Sequence, residues 1–146
     1  MLTPALTATT TQKQLNWIQL TVAIFITLLL GACATTGDKM DDLNKALRGY
    51  EKAIRWGKYD AAYSFHKWDK GVQPTIPANM ENIRVTSYET VGEKFNEKLM
   101  IMKQTVKLRY YSTETLREKA MQLPQEWKYF PELKRWYLIS EPLTFK

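Results

Sequence analysis

The sequence predicts an α+β domain in which N-terminal helices pack on a curved antiparallel sheet of about four strands. Two patterns support this prediction. Apolar residues recur at alternating spacings of three and four between residues 40 and 54, as on one face of a helix. Between residues 100 and 110 they alternate with polar residues, as in a strand that is buried on one face. The helical pattern comes first and the strand patterns follow together, which is the order of an α+β domain.

An apolar segment precedes the predicted domain. It covers residues 20–30, is interrupted by two threonines, and has one cation, Lys13, upstream. A charged region, an apolar stretch and small residues before a break are typical of a secretory signal peptide. An uncleaved signal anchor is the alternative, although the segment is shorter than the ~20 residues that span a bilayer. The chain's single cysteine, Cys33, follows directly.

The tetrad Leu30-Gly31-Ala32-Cys33 resembles the lipobox of bacterial lipoproteins. In that family the cysteine thiol receives a diacylglycerol, the peptide is cut before the cysteine, and the new amine is acylated. The resemblance implies a signal peptide at residues 1–32, a lipidated anchor and spacer at residues 33–37, and a single domain at residues 38–146. With alanine at position 34, directly after Cys33, the sequence resembles lipoproteins that are forwarded to the outer membrane. We therefore expect a lipid-anchored protein of the bacterial cell envelope, at the outer membrane and facing the periplasm.

Size and composition limit what this domain can be. Removal of the first 32 of 146 residues leaves 114, enough for one domain that buries roughly two thirds of its unfolded surface. An acylated Cys33 leaves no thiol for a disulfide, so the fold must depend on its hydrophobic core. Without Lys13 the chain keeps 20 basic and 15 acidic residues, a net charge of +5, which suits anionic lipid head groups or acidic partners, with simple solvation of the surface as the alternative. No run of five or six like charges occurs, so we expect no nucleic-acid partner.

Two helices are predicted before the strands. The first carries an apolar stripe at positions 40, 43, 47, 50 and 54, and Gly57 stands where a C-terminal cap belongs. The second is predicted over residues 60–68, with residues 59, 62, 63 and 66 along one side. Residues 71–82 contain two prolines and are predicted to form a loop.

Four strands are predicted after this loop. The first covers residues 83–91 and is followed by a turn at residues 92–96. The second covers residues 97–112, and its apolar side contains one polar residue, Gln104. A turn at Thr113-Glu114 would place Arg109 opposite Glu118 and Val106 opposite Met121, which pairs opposite charges outside and apolar groups inside. Pro124 is expected to bulge or end the third strand, and a last hairpin joins residues 126–130 to residues 136–140.

Three segments resemble the nuclear transport factor 2-like superfamily. They are residues 53–63 (AIRWGKYDAAY), residues 125–127 (QEW) and residues 134–138 (KRWYL). The resemblance implies a cone-like fold in which a long helix packs against a bent sheet. A cystatin-like sheet wrapped on one helix is the alternative. Members of the superfamily often hold an apolar ligand or a partner's side chain inside the cone. Homodimers that pair through the sheet are common in the superfamily, and the sequence leaves this possibility open.

The predicted ligand or partner pocket lies on the inner side of this sheet. It comprises Met100, Met102, Val106, Leu108, Met121, Trp136 and Tyr137. Enzymes of the superfamily use a carboxylate, sometimes with a histidine, and these positions carry no carboxylate. The single histidine, His66, lies among aromatic residues and is interpreted as a packing residue. No catalytic triad order, metal-ligand spacing or phosphate loop is present, so we predict no catalytic residue, no cofactor and no metal site.

These observations favour a non-catalytic binding module tethered to the outer membrane, acting as an adaptor or as an accessory of an envelope assembly. Its expected partners are the membrane, through the lipid on Cys33, and an envelope protein. Two alternatives stay open. One is a periplasmic carrier of a lipid or another apolar small molecule. The other is a small hydrolase or isomerase that uses Asp60 or His66.

Overall fold

A computed structural model of the chain describes residues 37–68 and 71–145. The predicted signal peptide, Cys33 and residues 34–36 lie outside the described residues. The chain divides into two units, Met1–Asp41 and Asp42–Lys146. The described part of the first unit, residues 37–41, is helical, and the second unit contains the sheet. None of the helices in the described ranges has the length and apolar character that a membrane crossing requires.

The described residues confirm an α+β fold with a four-stranded antiparallel sheet, but with one main helix instead of two. Helix α1 covers residues 37–55, and the short helix α2 covers Tyr59–Tyr63. A 3-10 helix at Ala78–Asn82 leads into the sheet. The strands pair in chain order, and their bounds are β1 Ile83–Asn96, β2 Ile101–Ser112, β3 Glu118–Phe130 and β4 Arg135–Leu138.

Helix α1 ends where the sequence predicts, at a Schellman-type cap. Gly57 has φ of +65°, a conformation that glycine adopts without steric cost. The Lys58 amide donates to the Ala53 carbonyl at 2.8 Å, and the Gly57 amide donates to the Ile54 carbonyl at 3.2 Å. These two bonds satisfy carbonyls that the end of the helix would otherwise leave unpaired. The predicted role of Gly57 is confirmed.

The predicted length of the second helix is wrong. Helix α2 ends at Tyr63, and His66 instead forms a parallel bridge with Leu138 of β4. The Leu138 amide donates to the Phe65 carbonyl at 2.9 Å, and the Lys67 amide donates to the Leu138 carbonyl at 3.1 Å. Residues 65–67 therefore pair with the edge of β4 instead of continuing the helix. The four positions predicted to share one side, residues 59, 62, 63 and 66, are nevertheless all buried.

The predicted turn at residues 92–96 is also wrong, because β1 continues through this segment. Asn96 lies opposite Ile101, and the turn is formed by residues 97–100. The Leu99 amide donates to Asn96 Oδ1 at 3.1 Å. Met100 adopts φ of +49°, which allows the chain to reverse direction into β2.

The hairpin of β2 and β3 has the predicted faces but a register shifted by two residues. Val106 lies opposite Leu123, not Met121, and Arg109 lies opposite Ala120, not Glu118. Since side chains alternate with a period of two, this shift leaves each one on its predicted face. The connection spans residues 113–117 instead of a two-residue turn at Thr113-Glu114.

Pro124 neither bulges nor ends β3, contrary to the prediction. The Glu126 amide donates to Ser140 Oγ at 3.3 Å, and its carbonyl accepts from the Ile139 amide at 2.8 Å. Both backbone groups of Glu126 therefore point away from β2. Backbone direction alternates along an antiparallel strand, so Pro124 also faces away from β2, where its missing N–H interrupts no ladder bond.

The core lies between α1 and one face of the sheet, called here the inner face. The predicted buried side of β2 is confirmed, since Met102, Gln104, Val106, Leu108 and Tyr110 are all buried. Tyr50 of α1 packs edge-on against Trp127 of β3, with ring centroids 5.6 Å apart.

The carboxy-terminal tail, residues 139–145, completes this core. The Tyr63 hydroxyl donates to the Leu143 carbonyl at 3.1 Å. The Phe145 ring lies 4.7 Å from that of Tyr110 and 5.9 Å from that of Tyr59. The last hairpin is confirmed, but β4 begins at Arg135 and ends at Leu138, two residues before the predicted end at residue 140.

Candidate binding groove

The seven residues predicted to line a pocket do not surround a common opening. Val106 and Leu108 have no exposed surface, and Met102 and Trp136 are 7% and 1% exposed. Met100 lies in the turn between β1 and β2, and Tyr137 lies in β4, both partly exposed. Of the seven, Met121 lines a groove between the strands and the carboxy-terminal tail.

This groove has a volume of about 740 Å³. Four segments line it: residues 92–94 of β1, 103–105 of β2, 121–126 of β3 and 140–144 of the tail. Strand β4 is short and pairs only with residues 127–130 of β3. The tail separates from β3 after the two Glu126 contacts, and a gap opens beside the preceding residues of β3. The groove therefore lies between the tail and the three strands β1, β2 and β3.

The lining of the groove is mixed in polarity. Lys103 Nζ lies 3.0 Å from Glu126 Oε2 across β2 and β3. Apolar surface comes from two prolines, Pro124 and Pro142, together with Met121 and two leucines. The charged residues that line it are Glu93, Lys94, Lys103, Glu126 and Glu141. Acids and cations beside apolar side chains do not match the lining of a purely apolar ligand cavity.

Two buried glutamines form a hydrogen-bonded network behind the groove. Gln125 Oε1 accepts from Gln104 Nε2 at 2.6 Å and from Trp127 Nε1 at 3.2 Å. Gln125 Nε2 donates to the Tyr88 hydroxyl at 3.0 Å. Burial raises the pKa of Tyr88 to about 12, against the lowering effect of the Gln125 hydrogen bond. The network is therefore uncharged at neutral pH and holds β1, β2 and β3 together at this level of the sheet.

Sequence reasoning found one half of this pair and missed the other. Gln104 stands out as the single polar residue on the buried side of β2. The predicted register placed it opposite Leu123, whereas the structure places it opposite Gln125. A buried amide needs a hydrogen-bonding partner. Requiring Gln104 to lie opposite Gln125 would therefore have selected the correct register from the sequence.

One edge of β3 borders the groove without a strand partner. Residues 118–125 precede the stretch that pairs with β4, so among the described strands their sole neighbour is β2. By the alternation that places Glu126 and Pro124, the backbone groups of Ala120 and Gln122 also face away from β2. The amides and carbonyls of these two residues are therefore directed at the place where a further strand would lie.

His66 and Asp60, the residues considered for catalysis, line no part of this groove. His66 is 4% exposed and stacks on Trp68, with ring centroids 4.9 Å apart. Burial lowers the pKa of His66 to about 4, against the raising effect of a hydrogen bond with the Ser140 backbone. Its Nε2 atom has no hydrogen-bond partner among the described atoms. Asp60 is exposed on α2.

Within residues 37–68 and 71–145, histidine, cysteine, aspartate and glutamate side chains do not gather in groups of three that could hold a metal ion. No protein family, curated protein or solved structure matches this chain. The candidate site therefore depends on its own geometry.

Proposed function

We propose that this protein is a lipid-anchored, non-catalytic binding module of the bacterial outer membrane that holds an extended segment of an envelope protein in the groove. The observation that supports this function is the unpaired edge of β3 along the wall of a groove of about 740 Å³. The lipid anchor on Cys33 and the periplasmic location are part of the proposal and depend on the lipobox-like tetrad. A cone-like fold of the nuclear transport factor 2-like kind is also part of it.

Strand addition is the binding mode that this edge favours. An extended peptide next to Ala120 and Gln122 would pair with their free amides and carbonyls, which provides affinity independent of sequence. Its alternate side chains would meet the apolar surface of Pro124 and Pro142 and the charges around them, which provides specificity. The edge of β1, on the other side of the sheet, is less suited to strand addition, because β1 carries two register irregularities and a row of exposed charges.

The two alternatives have less support from the geometry. A carrier of an apolar molecule needs an enclosed apolar cavity, whereas the predicted lining residues Val106 and Leu108 pack with no exposed surface. A hydrolase or isomerase needs an accessible acid or base, whereas His66 is buried and neutral. Asp60 lies on the surface of α2 and lines no part of the groove.

An Ala120→Pro substitution tests the proposed binding mode. The proline removes an amide that faces away from β2, so we expect the fold to tolerate it as it tolerates Pro124. A photo-reactive amino acid at Gln122 should crosslink the chain in cells to one envelope protein, identified by mass spectrometry. In the Ala120→Pro background this crosslink should fall at least tenfold, while Ala120→Ser, which keeps the amide, should leave it unchanged. Equal crosslinking in both variants would exclude strand addition.

A Cys33→Ser substitution tests the anchor separately. Without the thiol no diacylglycerol can be attached, so we expect an uncleaved and unlipidated precursor. The mass of the purified chain and metabolic labelling with palmitate distinguish this precursor from the processed form. Normal cleavage of the Cys33→Ser chain would contradict the proposed anchor and leave the groove proposal untouched. Native mass spectrometry of the same preparation tests the carrier alternative, because a carrier should retain a lipid.

A further inference from the structure

The solvent face of α1 is strongly basic. Leu43, Tyr50 and Ile54 are buried on one side of the helix. The opposite side, at positions 45, 48, 52 and 55, consists of lysine and arginine, all exposed. The helical period of 3.6 residues places these four in one stripe opposite the core.

Trp56 extends this stripe at the end of α1, and 74% of its surface is exposed. It borders two surface concavities. One of about 470 Å³ also involves Arg48, Lys52 and Arg55, and the other, of about 520 Å³, also involves Lys58. We refer to Trp56, Arg48, Lys52, Arg55 and Lys58 as the Trp56 patch. An indole this exposed contributes nothing to the core, so packing does not explain why a tryptophan stands at this position.

The charges of the patch are only partly neutralised within the chain. Arg55 Nη1 lies 3.4 Å from Glu51 Oε1, which makes Glu51 its partner. Arg48, Lys52 and Lys58 have no ion-pair partner among the described residues. The patch therefore presents three uncompensated cations around an exposed indole.

We propose that the Trp56 patch docks on the anionic head groups of the membrane to which the protein is tethered. Tryptophan is the side chain that favours the membrane–water interface, because its ring is apolar and its N–H is polar. Lysine and arginine near an anionic surface each add to the attraction. An acidic protein would satisfy the cations equally well, but an indole that is 74% exposed can insert among lipid head groups without a partner surface shaped to receive it.

This inference rests on the proposed membrane tether, which brings the patch to the bilayer. Arg48 follows Cys33 by 15 residues, so even a fully extended chain keeps it within about 50 Å of the anchor. Docking would fix the orientation of the domain, and with it the direction in which the groove of β3 faces. The inference thus adds an orientation to the tethered module and uses residues that line no part of the groove.

Quenching of tryptophan emission by brominated lipids tests this docking in the full chain. The chain is reconstituted in vesicles of phosphatidylcholine with or without phosphatidylglycerol, and its association is verified by flotation. The difference between the lipidated chain, which starts at Cys33, and its Trp56→Phe variant isolates the emission of Trp56 from that of the other three tryptophans of this processed chain, at positions 68, 127 and 136. We expect this difference to be quenched in phosphatidylglycerol vesicles, and the quenching to be lost in high salt.

A charge variant and its matched control complete the experiment. Arg48→Gln with Lys52→Gln should lower the ratio of docked to free patch about 25-fold, since each cation near an anionic surface contributes about fivefold. Lys107→Gln with Arg109→Gln removes the same charge from exposed positions of β2 and should change the ratio less than twofold.

Each contrary result has a distinct meaning. A chain that floats without Trp56 quenching would overturn docking and leave the tether intact. Equal quenching in phosphatidylcholine would overturn the role of the cations, and with it the proposal. A chain that does not float would overturn both docking and tether. Loss of the envelope-protein crosslink in Trp56→Phe, without any lipid quenching, would assign the patch to a protein partner instead.

Discussion

Strands β1 and β2 pair along their whole length, yet they differ sharply in what their sequences encode. Five of the twelve residues of β2 are buried, in strict alternation with less buried ones. Of the fourteen described residues of β1, Ile83 alone is buried, and residues 89–94 are all exposed. Strand β2 therefore forms through its own amphipathic pattern, whereas the second half of β1 forms because β2 provides a backbone with which to pair.

The difference shows how a sheet can extend beyond its core. The inner face of β2 is covered by α1 and the carboxy-terminal tail, and this covered half carries the packing energy. The exposed half of β1 carries charges at Glu89, Glu93 and Lys94 and a register irregularity between Thr90 and Gly92. Charges and bulges on an edge strand discourage pairing with other chains. Residues 120–125 of β3 carry no charged side chain; Pro124 lacks an amide for a further strand, and the edge stays open at Ala120 and Gln122.

Two valines on the paired strands measure the difference directly. Val106 in β2 is fully buried and Val91 in β1 is 51% exposed. We expect Val106→Ala to lower the free energy of unfolding by about 2–3 kcal/mol, because it loses buried apolar area and leaves a cavity. Val91→Ala should change it by less than about 0.5 kcal/mol. Urea denaturation of both variants measures the two values, and equal values would contradict the division of the sheet into a covered and an uncovered half.

The glutamine network lies at the boundary between these halves and offers the next test. Gln125→Met removes three hydrogen bonds and leaves Gln104 and the Trp127 N–H without their partner. We expect a loss of about 2 kcal/mol, since unsatisfied buried polar groups bear their full desolvation cost. The double variant Gln104→Met with Gln125→Met should lose less stability than the sum of the two single variants, because neither amide is then left without the other as its partner. Additive losses in this double-mutant cycle would mean that the two side chains act independently.

The same contrast explains how much of the fold could be predicted. The alternation in β2 predicts its buried face, and the position of Gly57 predicts the end of α1, since both depend on local chemistry. The register of β2 against β3 could not be derived from alternation, which is unchanged by a shift of two residues. The extension of β1 through residues 92–96 and the extended backbone at residues 65–67 depend on partners distant in sequence.

The groove escaped prediction for a related reason. Its lining includes the tail as well as three strands, and the path of the tail has no marker in a local pattern. The predicted pocket residues share the apolar face of the sheet, and in the structure most of them form the core instead. Periodicity identifies side chains that turn inward, but it does not distinguish those that line a cavity from those that fill it.

His66 provides a pH-dependent test of the covered half. Burial lowers its pKa to about 4 in the folded chain, against an ordinary value of about 6.5. The unfolded state therefore binds the proton more tightly, so this contribution to stability is complete above pH 6.5 and decreases as the pH falls toward 4. Tyr50 and Tyr63, whose rings lie 6.1 Å and 6.0 Å away, are neutral over this range because tyrosine has an ordinary pKa of 10, and burial raises their pKa values further.

The size of this effect can be measured against a variant that does not titrate. Between pH 7 and pH 5 the His66 contribution should fall by about 2 kcal/mol. His66→Gln should lack this dependence, and His66 is the single histidine of the chain. Subtracting the unfolding free energies of the two chains at each pH removes the shared contribution of the carboxylates. A flat difference, or one that grows as the pH falls, would mean that His66 is accessible to protons in the folded state.

The smallest expected effect compares two glycines, one in each region. Gly57 has φ of +65° at the end of the helix that covers the sheet, and an added Cβ would meet nothing closer than Tyr59 Cε2 at 3.9 Å. Gly57→Ala should therefore cost about 1 kcal/mol through backbone strain alone, without a steric clash. Gly92 lies in the uncovered half of β1, with no atom within 4 Å of an added Cβ and no positive φ, so Gly92→Ala should be neutral within about 0.5 kcal/mol. Thermal unfolding measures both changes. If Gly92→Ala cost as much as Gly57→Ala, the edge of β1 would be under a constraint that its exposure does not reveal.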